Sequence, residues 1–561
     1  MFSKESLAKA PVASTDPESS NRRWPVGLML CTLAFLTCVL FTVTPLSRMP
    51  DTVIRLRIGW GAFLGQASQW LPANIGSTYQ VSSASIEFFS IITLAFFCYC
   101  LAAWFVGRWT GDGWRLPVYT CIWLGAVLAG AIYLVTPGVL AHDIEAYAGY
   151  SRLLAVYHAN PYFVTLSAFP RDPVTPTDVW AAVPSAYGPI WMVICAISGW
   201  LLKQATPEAY VIGFRVFAFA MHLLNIWLVG RTLYIMGRSP RIRALRMLLY
   251  GWSPLVLLES AQNGHDDVFM LTFVLLGILL LARANQRGEL LHARGYLAPI
   301  LAFTLAALVK YPILPVLAAY LLLLLCMTLR PTAASSLIWR EALANWRLAV
   351  RPLGWACLAS IALVLAFYVP FWLGHSPDAV IKSFSDNPVA TWAENSYMRS
   401  VINWLHVHPE QKDNPLLMFL SWRQVWDVIE YIAIALCLFF GVRRLWVTPT
   451  VETFLTIALA TMCIVLLLTP WFFTWYGTWI VGLAVVCLPA RRNRVVWAFF
   501  ILALTFSYST LSLYLFNHDL LGPIGYLVSL FDTVPPICAF LFCWIWYPRH
   551  RPTTRRLAFE R

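Results

Sequence analysis

Long apolar runs, separated by short polar or basic stretches, follow one another along this chain from residue 25 to residue 547. Most reach about 18 residues almost free of charge, the length at which a helix crosses roughly 30 Å of hydrocarbon while bonding its own backbone. The pattern predicts an all-α fold, a polytopic transmembrane helical bundle. Spans are expected near 25–47, 86–107, 116–138, 211–231, 247–262, 267–283, 296–310 and 313–329, then near 353–373, 425–442, 451–470, 474–490, 495–516 and 524–547. That reading gives about fourteen crossings at the usual helix length. One transmembrane domain (25–547) lies between a polar, disordered cytoplasmic tail (1–24) and a basic cytoplasmic tail (548–561).

The apolar segment 187–202 breaks the alternation of sides. Counted as a crossing, it would put the basic loop Arg231–Arg246 on the wrong side, so the reading makes it re-entrant or interfacial. Backbone of that kind is tolerated at membrane depth where protein or a watery cavity covers it. The larger polar loops, 139–186 and 374–424, then fall together on the outer face.

Composition sharpens this picture. Hydrophobic residues make up 59% and charged residues 12% of the 561, too little charge to cover a soluble protein of this size. The formal net charge of +13 would suggest nucleic acid in a soluble chain. Here the positives gather in short loops and the tail, at Arg283–Arg294, Arg330–Arg351, Arg443–Arg444, Arg491–Arg494 and Arg549–Arg561, as the positive-inside bias requires. No nucleic-acid partner is expected; membrane lipid is. The 13 cysteines are scattered without ligand spacing and read as small buried hydrophobes.

Polar clusters at the outer ends of the predicted helices carry the candidate chemistry. His142-Asp143-Ile144-Glu145-Ala146-Tyr147 is followed by Arg152 and Asn160-Pro161-Tyr162. A carboxylate there suits general-base work if its site is partly desolvated, although Asp143 could equally cap a helix. Ser185-Ala186-Tyr187-Gly188-Pro189 opens the doubtful segment. Glu259 and Gly264-His265-Asp266-Asp267 form a turn between two apolar helices, and ionisable groups at membrane depth are costly enough to suggest function. Lys310 interrupts an apolar run and needs an acid, a phosphate or water; Arg215 is a similar cation. Trp471, Trp475 and Tyr476 fit an interfacial belt and also suit stacking on a sugar. Arg399 lies in loop 374–424, which reads as a lid.

In order and spacing these motifs resemble the GT-C superfamily of membrane glycosyltransferases, and among them bacterial polyprenol-phosphate-mannose-dependent mannosyltransferases. The resemblance covers about 116–490. It implies transfer of a hexose, mannose favoured, from a polyprenyl-phosphate-sugar donor to a hydroxyl of a glycan, lipid or protein acceptor. The expected place is the extracytoplasmic face of the cell membrane, with inversion at the anomeric carbon. It makes Asp143 the first choice of base and Glu145 the second, an Asp-x-Glu version of the family's acidic pair. Donor-phosphate and substrate contacts are then expected from Arg152, Tyr187, Arg215, His265, Asp266, Asp267, Lys310, Arg399, Trp471, Trp475 and Tyr476, with a divalent metal left open. A transporter or flippase for lipid-linked sugars is the alternative, but it would place its charges at the midplane, in two repeated halves. An outer-face glycan polymerase or ligase would share the carrier chemistry.

Overall fold

Prolines and capping hydroxyls set where the helices of this protein begin. Pro189, Pro207, Pro240 and Pro377 each stand in the first turn of a helix, where the missing N–H costs nothing. Ser239, Ser376, Ser396 and Thr450 each accept a bond from the free N–H three residues on. The structure is a computed structural model that describes residues 17–48, 74–75, 81–109, 115–136, 140–203, 205–329 and 346–487.

The main helices are α1 (Pro17–Arg48), α2 (Ser83–Arg108), α3 (Arg115–Leu134), α4 (Asp143–Ala155), α5 (Pro189–Leu201), α6 (Pro207–Ile235), α7 (Pro240–Gly251) and α8 (Asp267–Gln286). After them come α9 (Ala293–Val309), α10 (Leu314–Leu329), α11 (Trp346–Trp372), α12 (Tyr397–Val407), α13 (Arg423–Val447), α14 (Val451–Leu468) and α15 (Gly477–Val486). Strand pairing among the described residues is limited to an antiparallel ladder of Asn74–Ile75 with Val81–Ser82 and a single parallel bridge between Glu394 and Trp471.

Among the described residues, nine helices are long and apolar enough to cross a membrane, which fits a membrane protein. The described residues do not confirm all fourteen expected crossings. Spans predicted near 495–516 and 524–547, with the C-terminal tail, lie outside the described residues. The span predicted near 247–262 is not one helix. Pro254 cannot continue α7, so Ser253 caps a new short helix, Pro254–Leu257, which passes into a π-helical turn at Leu258–Gln262. The span predicted near 474–490 starts with a 3-10 turn and becomes helical only over Gly477–Val486. At the other end, α1 begins at Pro17 and takes over the last residues of the predicted tail.

Segment 187–202 folds as α5, 13 residues long. At about 1.5 Å per residue it extends only ~20 Å, short of the hydrocarbon thickness. The core sits around α8, with 72% of its apolar window buried, against 11% for α11 and 6% for α13. Some polar side chains inside the core are bonded across helices: Asn225 donates to the Val268 carbonyl and the Tyr250 hydroxyl, and the Trp252 indole donates to the Ile122 carbonyl.

Helices α4, α5, α8 and α15 all start at one end of the bundle, where α9 and α14 finish. The chain ends meeting there build the site.

Candidate active site

Four helix starts converge on a cleft that encloses about 730 Å³. Asp143, the first residue of α4, lines it together with Tyr187, Lys310, Trp471, Trp475 and Tyr476. His142 occupies the cap position of α4 without a side-chain capping bond, so the Asp143 carboxylate is not spent on capping. It accepts a hydrogen bond from the Tyr187 hydroxyl at 3.1 Å and lies 3.7 Å from Nδ1 of His265. Its side chain keeps 14% of its exposure, whereas that of Glu145 has none. Glu145 points away and pairs with His142 at 3.0 Å. Burial raises the Glu145 carboxyl, and His142 pulls it part of the way back. Of the two acids the sequence offers as base, only Asp143 reaches the cleft.

Lys310 follows α9 in extended backbone, which turns its side chain back into the bundle. Its Nζ stands 2.8 Å from Oδ2 of Asp267 and 3.3 Å from Oδ1 of Asp266. Burial works against this charge, but the two carboxylates outweigh it and hold the ammonium protonated well above its ordinary range. The aromatic rings of Tyr476 and Tyr187 flank it at 5.0 and 5.6 Å. Asp266 also accepts from the Tyr147 hydroxyl at 3.0 Å, and Asp267 from the Trp479 indole at 2.7 Å. These partners fix both acids and, through them, the lysine.

His265 is buried beneath the cleft. Its Nε2 stands 3.2 Å from Glu259, and its ring stacks on Trp475 with centroids 4.2 Å apart. Burial disfavours its charge, but Glu259 and Asp143 prevail and raise its pKa. Gly264, just before it, has φ +69°, and an added Cβ would come within 2.7 Å of Ile144, so glycine alone suits this turn. Gly188 has a different reason: a Cβ there would lie 2.0 Å from the Leu308 carbonyl oxygen. That close approach, with the Gly188 N–H bonded to the Val309 carbonyl, brings Tyr187 beside Lys310.

Three predicted cations do not line the cleft. Arg215 is fully buried and donates to backbone carbonyls of Thr136 and Gln262, tying α6 to the chain segments around it. Arg152 pairs with Asp172, and Arg399 is exposed on α12. Their place is in the scaffold around the site.

Two residues that sequence reasoning passed over, Trp180 and Asn387, also line the cleft. Asn387 donates to the Pro184 carbonyl at 3.2 Å and so fastens loop 374–424 across the mouth. Backbone bonds from Glu394 to Pro470 and from Phe472 to Glu394, each 3.0 Å, tie the same loop to the aromatic turn. A tryptophan in the loop 139–186 was the one available signal, since a large ring there must find a partner; Trp180 finds Trp471 and Trp392.

His265, Asp266 and Asp267 each offer an atom within 4.8 Å of the others, close enough to hold a metal. Lys310 already sits between the two aspartates, and Tyr147 and Trp479 take further lone pairs. The donor set therefore fits a divalent cation only if Lys310 moves out.

Comparison with known families bears on the matched part of the chain. Residues 53–328 match the family described as alpha-(1->6)-mannopyranosyltransferase, N-terminal domain. Over that stretch, just under half of its length, the chain is similar to a GT-C-type mannosyltransferase family. No curated protein matches the chain. The matched stretch contains Asp143, Tyr187, His265, Asp266, Asp267 and Lys310. It ends before the aromatic wall at Trp471–Tyr476 and before the loop that carries Asn387, so those parts of the cleft rest on the geometry alone.

Proposed function

We propose that the protein transfers a mannosyl group from a polyprenyl-phosphate donor to an acceptor hydroxyl, with inversion, on the extracytoplasmic face of the membrane. The observation that carries this reading is Asp143 and Lys310 on one cleft, the carboxylate accessible and the ammonium held by two buried acids. Asp143 takes the proton of the acceptor hydroxyl as its oxygen attacks the anomeric carbon. The bond from that carbon to the donor phosphate breaks, and the polyprenyl phosphate leaves with the electron pair. A single attack from the face opposite the leaving group gives inversion.

The growing phosphate charge meets the Lys310 ammonium, which lines the cleft already fixed by its two carboxylates. Such preorganised donors act most strongly in a site shielded from water. Trp471, Trp475 and Tyr476 offer ring faces to the sugar. Asp266 and Asp267 are positioning residues, since they meet the cleft through Lys310. A lipid-borne donor also accounts for catalysis by a bundle of membrane-length helices.

The test is the purified protein in lipid nanodiscs, supplied with polyprenyl-phosphate mannose, guanosine diphosphate mannose, or each with a mannoside acceptor. The reading expects product from the polyprenyl-phosphate donor alone. Product from the nucleotide sugar alone would refute the donor assignment, and lipid movement across vesicles without transfer would favour a transporter.

A further inference from the structure

We propose that a second cleft, at the end of the bundle opposite the active site, binds the phosphate of an anionic membrane phospholipid. It encloses about 1100 Å³ where α8 turns into α9, and Arg283, Arg287, Arg294 and His292 line it with the single acid Glu289. Arg287 stands 4.0 Å from Glu289 and keeps 70% of its side-chain exposure. Among the described residues, the side chains of Arg283 and Arg294 have neither an ion-pair nor a hydrogen-bond partner, so their charge faces the cleft.

The position selects the ligand. Helix α8 starts at Asp267 in the active site and runs for 20 residues. At about 1.5 Å per residue that is ~30 Å, the thickness of the hydrocarbon core, so its far end lies at the level of the opposite headgroups. The cleft wall adds Leu280 and Ala298, apolar surface that a soluble anion would not use but the upper part of a lipid would. The cap position of α9, His292, makes no side-chain capping bond, which leaves the N–H groups of Ala293 and Arg294 open beside the arginines, while that of Gly295 is bonded to the His292 carbonyl. Several arginines, open helix N–H groups and an adjoining apolar wall are what a phosphodiester headgroup requires. Phosphatidylglycerol is the simplest such lipid. The inference is independent of the donor proposed above.

The test is native mass spectrometry of the full-length detergent-purified protein titrated with phosphatidylglycerol, phosphatidylcholine or inorganic phosphate. Phosphatidylglycerol is expected to bind at least tenfold more tightly than phosphatidylcholine, and millimolar inorganic phosphate not to compete. Arg283→Gln with Arg294→Gln is expected to weaken phosphatidylglycerol about 30-fold, at about fivefold for each charge near a headgroup. Arg283→Lys with Arg294→Lys keeps the charge and is expected to restore most of that binding, which separates a binding role from a folding one. Equal affinity for both lipids, or unchanged affinity in the glutamine variant, would overturn the proposal. Competition by inorganic phosphate would make this a soluble-anion site and overturn the lipid assignment.

Discussion

Helices α8 and α9 run side by side through the core, and their two ends treat charge in opposite ways. At the end that carries the candidate active site, Asp266, Asp267 and Lys310 are buried and hold one another, with Tyr147 and Trp479 taking further lone pairs. At the far end, Arg283, Arg287 and Arg294 stand open around a cleft, and the nearest acid is 4.0 Å from one of them. The same helical hairpin thus carries a preorganised cluster at one end and a solvated, adaptable one at the other. Chemistry needs the first kind, because a group fixed before reaction has no reorganisation left to undergo. Binding at a headgroup layer tolerates the second. Stability should follow the same division, since removing one partner of a buried ion pair costs far more than removing an exposed charge.

The largest effect is expected at Lys310. Lys310→Met leaves two buried carboxylates facing each other and should lower stability by about 3–5 kcal/mol, read as a fall in melting temperature. Adding Asp267→Asn to that variant removes one of the opposed charges and should return much of the stability while transfer stays lost. Recovery of both together would mean that Lys310 only holds the fold. A smaller effect is expected at Trp475, whose ring covers His265 and lines the cleft. Trp475→Leu should raise KM for the sugar donor by roughly tenfold, as lost ring stacking implies, with a weaker effect on kcat.

A third prediction concerns pH. Asp178 is buried and accepts from the Trp180 N–H, and burial pushes its carboxyl from 3.8 up to about 7. The native state keeps this proton at a pH where the unfolded chain has released it. Stability contributed by the group is therefore full below about 4 and is lost as pH rises towards 7. The Asp178→Asn variant should melt with a flatter dependence on pH across that window, and an unchanged slope would show that another group sets it. The smallest effect belongs to the far end. Arg283→Gln with Arg294→Gln should leave transfer within about twofold and melting nearly unchanged in a neutral detergent, as exposed charges do.

Much of this division was legible in the sequence. Apolar runs gave the helices, and the motifs His142–Tyr147, Ser185–Pro189, Gly264–Asp267, Lys310 and Trp471–Tyr476 do assemble at one end of the bundle. Two kinds of information were not legible. Arg215 and Arg152 look like Lys310 in sequence, but a cation inside a membrane protein can be satisfied by backbone carbonyls or by a loop acid, and only the packing says which. Asn387 and Trp180 belong to long loops, where no periodicity indicates which side chain turns inward. The broken span at Ser253-Pro254 was signalled by its proline, yet the apolar run across it outweighed that signal. Glu145 and Asp143 lie two residues apart on α4, which turns them in different directions.

That last pair offers the most direct measurement. Transfer from polyprenyl-phosphate mannose should be compared for Asp143→Asn, Glu145→Gln and the unaltered protein, each first shown to be folded by an unchanged melting temperature. If Asp143 is the base, its variant should lose about 10²–10⁴-fold in kcat while Glu145→Gln stays within roughly tenfold. Near-full activity of Asp143→Asn, with the loss falling on Glu145→Gln, would contradict the account.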